Sequence, residues 1–184
     1  MVSYHLTGEK IKLRALEESD IDGPYLDWLN DPDVTRFMTA GIFPQTKEML
    51  RNFYKSISGA QTCVYYAILD KATDKHIGNI KLDHIDWINR RAEIGVLVGD
   101  RNFWGRGVCK EAVGLVTEYA FKKLDLRKIM IWANTENTAA VRCYKSNGYK
   151  EEGRLREMNY NPDSGKYDDH ICLALFKDEW VKRK

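Results

Sequence analysis

Residues 92–123 read AEIGVLVGDRNFWGRGVCKEAVGLVTEYAFKK, and the fold is decided here. Residues 92–99 have the apolar composition of a strand. Gly95 and Gly99 are unusual inside one, and point to a bulge or to the close approach of a ligand backbone. Residues 101–109 form a glycine-containing loop, and a helix follows to about 123. Val108, Ala112, Leu115, Val116, Tyr119 and Ala120 share one face of that helix. A helix N-terminus presents unpaired N–H groups and the positive end of its dipole. Gly105 and Gly107 let a phosphate come close to the backbone, and Arg101, Arg106 and Lys110 add positive charge. The segment therefore reads as a phosphate or pyrophosphate cradle. The competing reading is a tight turn that merely exposes Arg106. A P-loop is excluded, because Gly105-Arg106-Gly107 runs into Val108-Cys109-Lys110. A dinucleotide fingerprint is excluded because Lys110 stands where its third glycine belongs.

Outward from this stretch the periodicities alternate between strand and helix. Upstream, residues 63–69 and 76–85 read as strands joined by a turn-rich DKATDK. Residues 9–16 alternate Ile11, Leu13 and Ala15 with Lys10, Lys12 and Arg14, a strand with one buried face. Ser19 is the expected N-cap of a short helix carrying Ile21, Tyr25, Trp28 and Leu29, which Asn30-Asp31-Pro32 should end. Thr46 is expected to cap a second helix. Downstream, residues 128–133 form a strand, Asn137 caps a helix that Gly148 stops, and 149–158 and 167–176 form a hairpin around 161–165. The sum is an α/β fold in one domain, residues 1–184. Its central sheet is mixed and mostly antiparallel, with about seven strands flanked by about four helices.

Composition narrows the function. With 29 basic against 27 acidic residues the net charge is +2, which argues against a nucleic-acid binder. The cysteines at 63, 109, 143 and 172 form no CxxC or Cys/His cluster, so no metal is expected. The N-terminal segment has no signal-peptide core, and no run approaches the ~20 apolar residues of a membrane span. The expectation is a cytoplasmic protein with reduced thiols and no membrane partner.

The segment AEIGVLVGDRNFWGRGVCKEAVGLVTEYAF, followed by KIMIWANTENTAAVRCYKSNGY, resembles the GNAT superfamily of acyl-CoA-dependent N-acetyltransferases. The nearest branch is that of the ribosomal-protein-alanine acetyltransferases and their small-molecule relatives. The resemblance extends over about residues 9–177. The family's cofactor motif, Gln/Arg-x-x-Gly-x-Gly/Ala, reads here Trp104-Gly105-Arg106-Gly107-Val108-Cys109, with Trp in the usual first place and Cys in the last. The resemblance implies acetyl-CoA as donor. It implies that backbone groups of Leu97, Val98 and Gly99 pair with the pantetheine arm as if it were an added strand. It further implies that N–H groups from Gly105 to Lys110 (Gly105, Arg106, Gly107, Val108, Cys109, Lys110) take the pyrophosphate. Asn137 would touch the cofactor, and the same residue can serve as a helix cap. Family members often dimerise, so the resemblance allows a homodimer.

Acetyl transfer needs a neutral amine and a proton for the leaving thiolate. On helix position alone Tyr144 reads as a core tyrosine beside Val141; the resemblance reverses this, since Tyr144 matches the family's general acid. Glu93 alternates with Gly95, Leu97 and Gly99 and so shares their face. There it can bind the amine or order a water that relays its proton, or it can pair with Arg90 or Arg91. A cysteine acyl-enzyme at Cys109 or Cys143 lacks a nearby histidine in the sequence. Asp31, Asp33, Asp83, Asp86, Asp168 and Asp169 fall in segments expected to face the acceptor. WLNDPDVTRF resembles the acceptor side of amino-sugar acetyltransferases, including those acting on nucleotide-linked sugars, and NRRAEIG that of polyamine acetyltransferases. The expected acceptor is a small-molecule primary amine, an amino sugar ahead of a polyamine. Protein N-terminal acetylation and non-catalytic acyl-CoA binding are the alternatives.

Overall fold

The structure is a computed structural model and describes residues 5–161 and 164–183. Its strands are β1 (Leu6–Thr7), β2 (Ile11–Ala15), β3 (Val64–Asp70), β4 (His76–Asp86), β5 (Arg91–Val98), β6 (Lys128–Asn134), β7 (Lys150–Asn161) and β8 (Lys166–Phe176). Its α-helices are α1 (Tyr25–Asn30), α2 (Pro32–Thr35), α3 (Lys47–Ile57), α4 (Val108–Lys122), α5 (Thr138–Ser146) and α6 (Lys177–Val181). The strands form one 8-stranded sheet in the order β1-β2-β3-β4-β5-β6-β8-β7. Neighbours are antiparallel except β5 and β6, which α4 joins as a crossover.

The sheet has one strand more than the expected seven, because Leu6–Thr7 pairs with Lys12 and Leu13. The helix expected across 21–29 is broken. Glu17, not Ser19, precedes a 3₁₀ turn over Glu18–Asp22, and α1 starts afresh behind Pro24. α1 ends at Asn30 with Asp31 as its C-cap, as expected, and a further short helix follows: Pro32 stands at the start of α2, where a missing N–H costs nothing, and the Asp31 side chain accepts from the Asp33 N–H. Thr46 caps α3 as expected, accepting from the Met49 N–H. The last hairpin is formed; Pro162 and Asp163 of its turn lie outside the described residues.

Both faces of the sheet are covered, and β3 shows why. Tyr66 and Ile68 join the large core under α4, while the alternating Ala67 and Leu69 pack with Leu16, Tyr25 and Tyr54 on the opposite face. Helix α4 contributes Val108, Ala112, Val113, Val116, Ala120 and Phe121 to the first layer. Ile21, Leu29 and Leu50 of the N-terminal helical region make the second.

One break in this sheet positions everything that follows. β5 pairs with β6 only through Arg91–Ile94 against Lys128–Ile131. Beyond that, Val98 stays with Gly78 of β4, and the Gly99 and Asp100 N–H groups both donate to the Ile77 carbonyl. Asn134 stays with His170 of β8. Each strand follows its other neighbour, and the two part as a wedge.

Candidate active site

The wedge leaves the β6-facing edge of Gly95, Val96, Leu97 and Val98 without a partner strand. An extended ligand carrying amides can pair with such an edge. The wedge opens into a cleft of about 1190 Å³. Its walls are β5 from Gly95 to Val98, β6 from Trp132 to Asn134, the start of α4, and α5 from Asn137 to Ser146. Tyr25, Phe37, Phe53, Tyr65, Asn79 and Lys81 close the side toward the N-terminal helices.

At the mouth stands the N-terminus of α4. Gly105 and Gly107 have φ of +73° and +84°, a conformation costly for any residue with a Cβ. A Cβ at Gly105 would meet nothing within 4 Å, so the loop is open on that side. Gly107 is the N-cap and has no side chain to satisfy the first N–H groups of the helix. Lys10 donates from Nζ to the Arg106 carbonyl at 3.0 Å. It is brought there because Glu111, in the first turn of α4, accepts from the Lys10 backbone N–H at 3.0 Å. Open N–H groups, a helix dipole and the ammonium groups of Lys10 and Lys110 together suit a pyrophosphate.

Several expected contributors are placed differently. Arg101 turns away from the cradle and pairs with Asp31, at 3.7 Å, and with Asp33. Arg106 lies over the Phe103 ring, 5.5 Å from its centroid, and only its neighbours Gly105 and Gly107 are on the cleft wall. Gly99 is also off that wall. A Cβ there would fall within the Trp28 indole, and its N–H is used by Ile77. A Cβ at Gly95 would meet the Lys81 stem at 2.7 Å. At the Cβ positions of these strand glycines the close approach is made by the protein's own Trp28 and Lys81 side chains. The Val98 carbonyl accepts from the Trp104 indole N–H at 2.7 Å, so Trp104 ties the loop to the strand edge. Leu97 keeps its place on the wall.

Tyr144 lies on the cleft wall, and is 6% exposed. Burial pushes its phenol well above its ordinary pKa, and the neighbouring Cys109 and Cys143 thiols push the same way. The hydroxyl therefore keeps its proton at neutral pH. Cys109 and Cys143 approach to 2.7 Å between sulfurs, and the contact with Cys143, together with burial, raises the Cys109 pKa. The same contact lowers the Cys143 pKa, so it is the Cys109 thiol alone that is held as a poor nucleophile. Asn137 accepts from the Ala140 N–H at 3.1 Å and also lines the cleft, so capping and ligand contact are compatible.

Glu93 faces His84, with Nδ1 at 3.8 Å, and is not part of the cleft wall. Arg90 instead pairs with Asp125, and Arg91 with Asp86. The other acidic candidates are also engaged. Asp83 accepts from Lys81 at 2.7 Å and from the Tyr65 hydroxyl at 3.1 Å. Asp168 accepts from Asn134, and Asp169 from Arg154. Among the described residues no group of acidic, histidine and cysteine side chains suits a metal.

The sequence reading missed Lys10, Asn79, Lys81, Trp132, Arg142 and His170. For Asn79 and Lys81 a signal existed: they alternate along β4 on the face that carries Leu97 through the Asn79–Leu97 register. Asn79 is buried, its Oδ1 accepts from His76 at 2.9 Å, and its Nδ2 has no partner among the described residues.

A parted sheet with a free strand edge, an anion cradle at its mouth and a protonated tyrosine inside it define an acyltransferase that takes its acyl group from a coenzyme A thioester. Residues 10–150 match the family model for the acetyltransferase (GNAT) domain, and the chain belongs to that family. It is an acetyl-CoA-dependent N-acetyltransferase. It is 33% identical over 176 residues to "Uncharacterized N-acetyltransferase p20" of Bacillus licheniformis, covering 94% of this chain and 96% of that one. It is 26% identical to the "Putative ribosomal N-acetyltransferase YdaF" of Bacillus subtilis (strain 168), covering 96% of each. Its fold is shared by a solved spermidine N-acetyltransferase of Vibrio cholerae in complex with CoA and spermine, with TM-score 0.85 at 23% identity over 95% of this chain and 99% of that one. Among the described residues no helix is long and apolar enough to cross a membrane.

Proposed function

We propose that the protein moves an acetyl group from acetyl-CoA to the primary amine of a small molecule, directly, with both substrates bound together. The reading rests on one observation above the others: the cleft that opens where β5 and β6 part is lined both by the N-terminus of α4 and by Tyr144. The Gly105–Lys110 turn holds the pyrophosphate by its N–H groups, with Lys10 and Lys110 supplying charge. The free edge at Val96 and Leu97 orients the pantetheine arm, and Trp104 keeps that edge in place through Val98. Asn137 borders the arm from α5.

When bound, acetyl-CoA supplies an activated acyl carbon. Attack on it by a neutral amine expels a thiolate, and Tyr144 donates the proton that the sulfur takes up. The amine's own proton leaves through water, for which the exposed side of the cleft gives a path; Glu93, the one carboxylate on β5, stands off the cleft wall beside His84 and takes up the proton at the end of that relay. The acceptor enters between the N-terminal helices and β4. Tyr25, Phe37, Phe53 and Tyr65 present flat apolar surface there, which suits a sugar ring better than a flexible polyamine.

The test is release of free CoA thiol in the presence of amino sugars, polyamines and peptides. Turnover with amino sugars above the others supports the reading. Tight acetyl-CoA binding by calorimetry with no turnover on any amine would reduce the protein to an acyl-CoA-binding module.

A further inference from the structure

The cleft wall is charged in a one-sided way. Asp33 is its single carboxylate among the described residues, and it is held by Arg101. The wall carries four basic residues, Arg36, Lys81, Lys110 and Arg142. Lys81 is matched by Asp83 at 2.7 Å. Lys110 and Arg142 stand on α4 and α5, where the acetyl-CoA phosphates and arm are received. Arg36 stands apart from them, next to α2 in the N-terminal helical layer. It touches the Phe37 ring and forms no ion pair among the described residues.

Asn79 adds a second, independent observation. It is 7% exposed, and its Nδ2 is a buried donor with no partner among the described residues. It lies opposite Leu97, which packs against Ile21, Leu29 and Leu50, so Asn79 faces the same layer as Arg36. A buried donor left unpaired is costly, so a ligand that accepts from it gains accordingly. An ammonium group donates and never accepts. A second ammonium on the acceptor would meet a guanidinium and an amide donor here, and the one carboxylate nearby is already engaged.

We propose that the acceptor is a primary amine that also carries an oxyanion, phosphate or carboxylate, and that Arg36 is the residue that selects it. A guanidinium takes such a group by two parallel charge-assisted hydrogen bonds. Asn79 donates to the same molecule. Polyamines are excluded by the same charges. This inference rests on the acetyltransferase reading above and specifies its acceptor.

Matched pairs of amines test it. Glucosamine 6-phosphate is compared with glucosamine, and 6-aminohexanoate with hexylamine and 1,6-diaminohexane, all by thiol release. The anionic member of at least one pair is expected to have kcat/KM about tenfold higher or more. Arg36→Ala is expected to erase that preference by raising KM for the anionic amine alone, and Arg36→Lys to restore part of it. The two pairs separate phosphate from carboxylate recognition. A preference for glucosamine, hexylamine or the diamine overturns the proposal, as does an Arg36→Ala loss that is equal for every amine. If no amine releases thiol, the acetyltransferase reading fails separately. Calorimetric titration of the same pairs into the protein with acetyl-CoA then still measures the anion preference, and equal or absent binding of all of them rejects it.

Discussion

The indole of Trp28 lies against the backbone of Gly99, filling the space where any other residue would place its Cβ. Trp28 belongs to α1 and Gly99 follows β5, so this contact sets the N-terminal helices against the end of the strand that borders the cleft. On its other side the same ring meets His76 edge-on, with centroids 5.0 Å apart. Gly99→Ala therefore has to displace a tryptophan that is 7% exposed. The expected cost is about 1–3 kcal/mol, read as a lower urea midpoint. A double variant with Trp28→Leu should recover part of it. Additive losses would mean that the two residues do not share this space.

Tyr144→Phe keeps the ring and removes the proton donor. Because the hydroxyl makes no hydrogen bond to another described residue, the fold should lose little. Turnover is expected to fall by about 10²-fold or more, the usual scale for a lost general acid. Acetyl-CoA affinity by calorimetry should hold. An unchanged kcat would remove Tyr144 from the chemistry.

Gly107→Glu places a carboxylate at the mouth of the cradle, at a residue with φ of +84°. Both the backbone conformation and the charge oppose the pyrophosphate, and calorimetry should show acetyl-CoA binding weakened by at least about tenfold. Gly165→Ala is the control: it carries a comparable φ of +65°, in the β7–β8 turn, and a Cβ there meets nothing within 4 Å. It should cost some stability and leave binding untouched.

Cys109 and Cys143 lie 2.7 Å apart between sulfurs, on the two helices that flank the wedge. Diamide is expected to join them. Of the 4 thiols, two should then disappear in a titration of the unfolded protein, and the mass should fall by two hydrogens. The bridge closes a loop between positions 34 residues apart, so Tm should rise by the equivalent of about 3–4 kcal/mol in a chain-entropy account. Bound acetyl-CoA should slow the reaction, since both residues line the cleft. If all thiols persist, or if Cys143→Ser loses the same number, the pair is not the reactive one.

Much of this architecture could be read from local pattern. The buried face of Ile11 and Leu13, the caps at Thr46 and Asn137 and the stop at Gly148 all depend on neighbours a few residues away, and the structure has them in those roles, while Ala15, the third member of that alternation, is exposed at the end of β2. The glycine turn at the start of α4 was legible for the same reason, since two glycines before an amphipathic helix describe their own geometry. What failed was pairing at long range. Arg101 looked like a phosphate ligand, and its real partner, Asp33, is 68 positions away. Gly95 and Gly99 correctly signalled close approach, but a glycine does not say what approaches it. Alternation along β4 puts Asn79 on the face shared with Leu97, but its unpaired amide is visible only once His76 occupies the other end.

Asp20 tests how the N-terminal layer is held to the sheet. Its carboxylate is 6% exposed and accepts from Arg14 at 2.6 and 2.7 Å and from the Glu17 N–H at 2.8 Å. Burial alone would raise its pKa; the Arg14 and Glu17 hydrogen bonds, helped by the charge of His76, outweigh that and leave it below its ordinary value of 3.8. A lowered carboxyl pKa stabilises the fold at every pH above the unfolded-state value. That contribution is lost as pH falls below 3.8 and through the lower folded-state value. Asp20→Asn removes the carboxylate that pairs at 2.6 Å with Arg14, which is 12% exposed. The expected loss is about 3–5 kcal/mol at neutral pH, measured by urea unfolding. The difference between the two proteins should shrink as the pH is taken through that acid window, because protonation does to the parent what the substitution does to the variant. A gap that stayed constant down to the acid transition would show that Asp20 holds this layer by shape and not by charge.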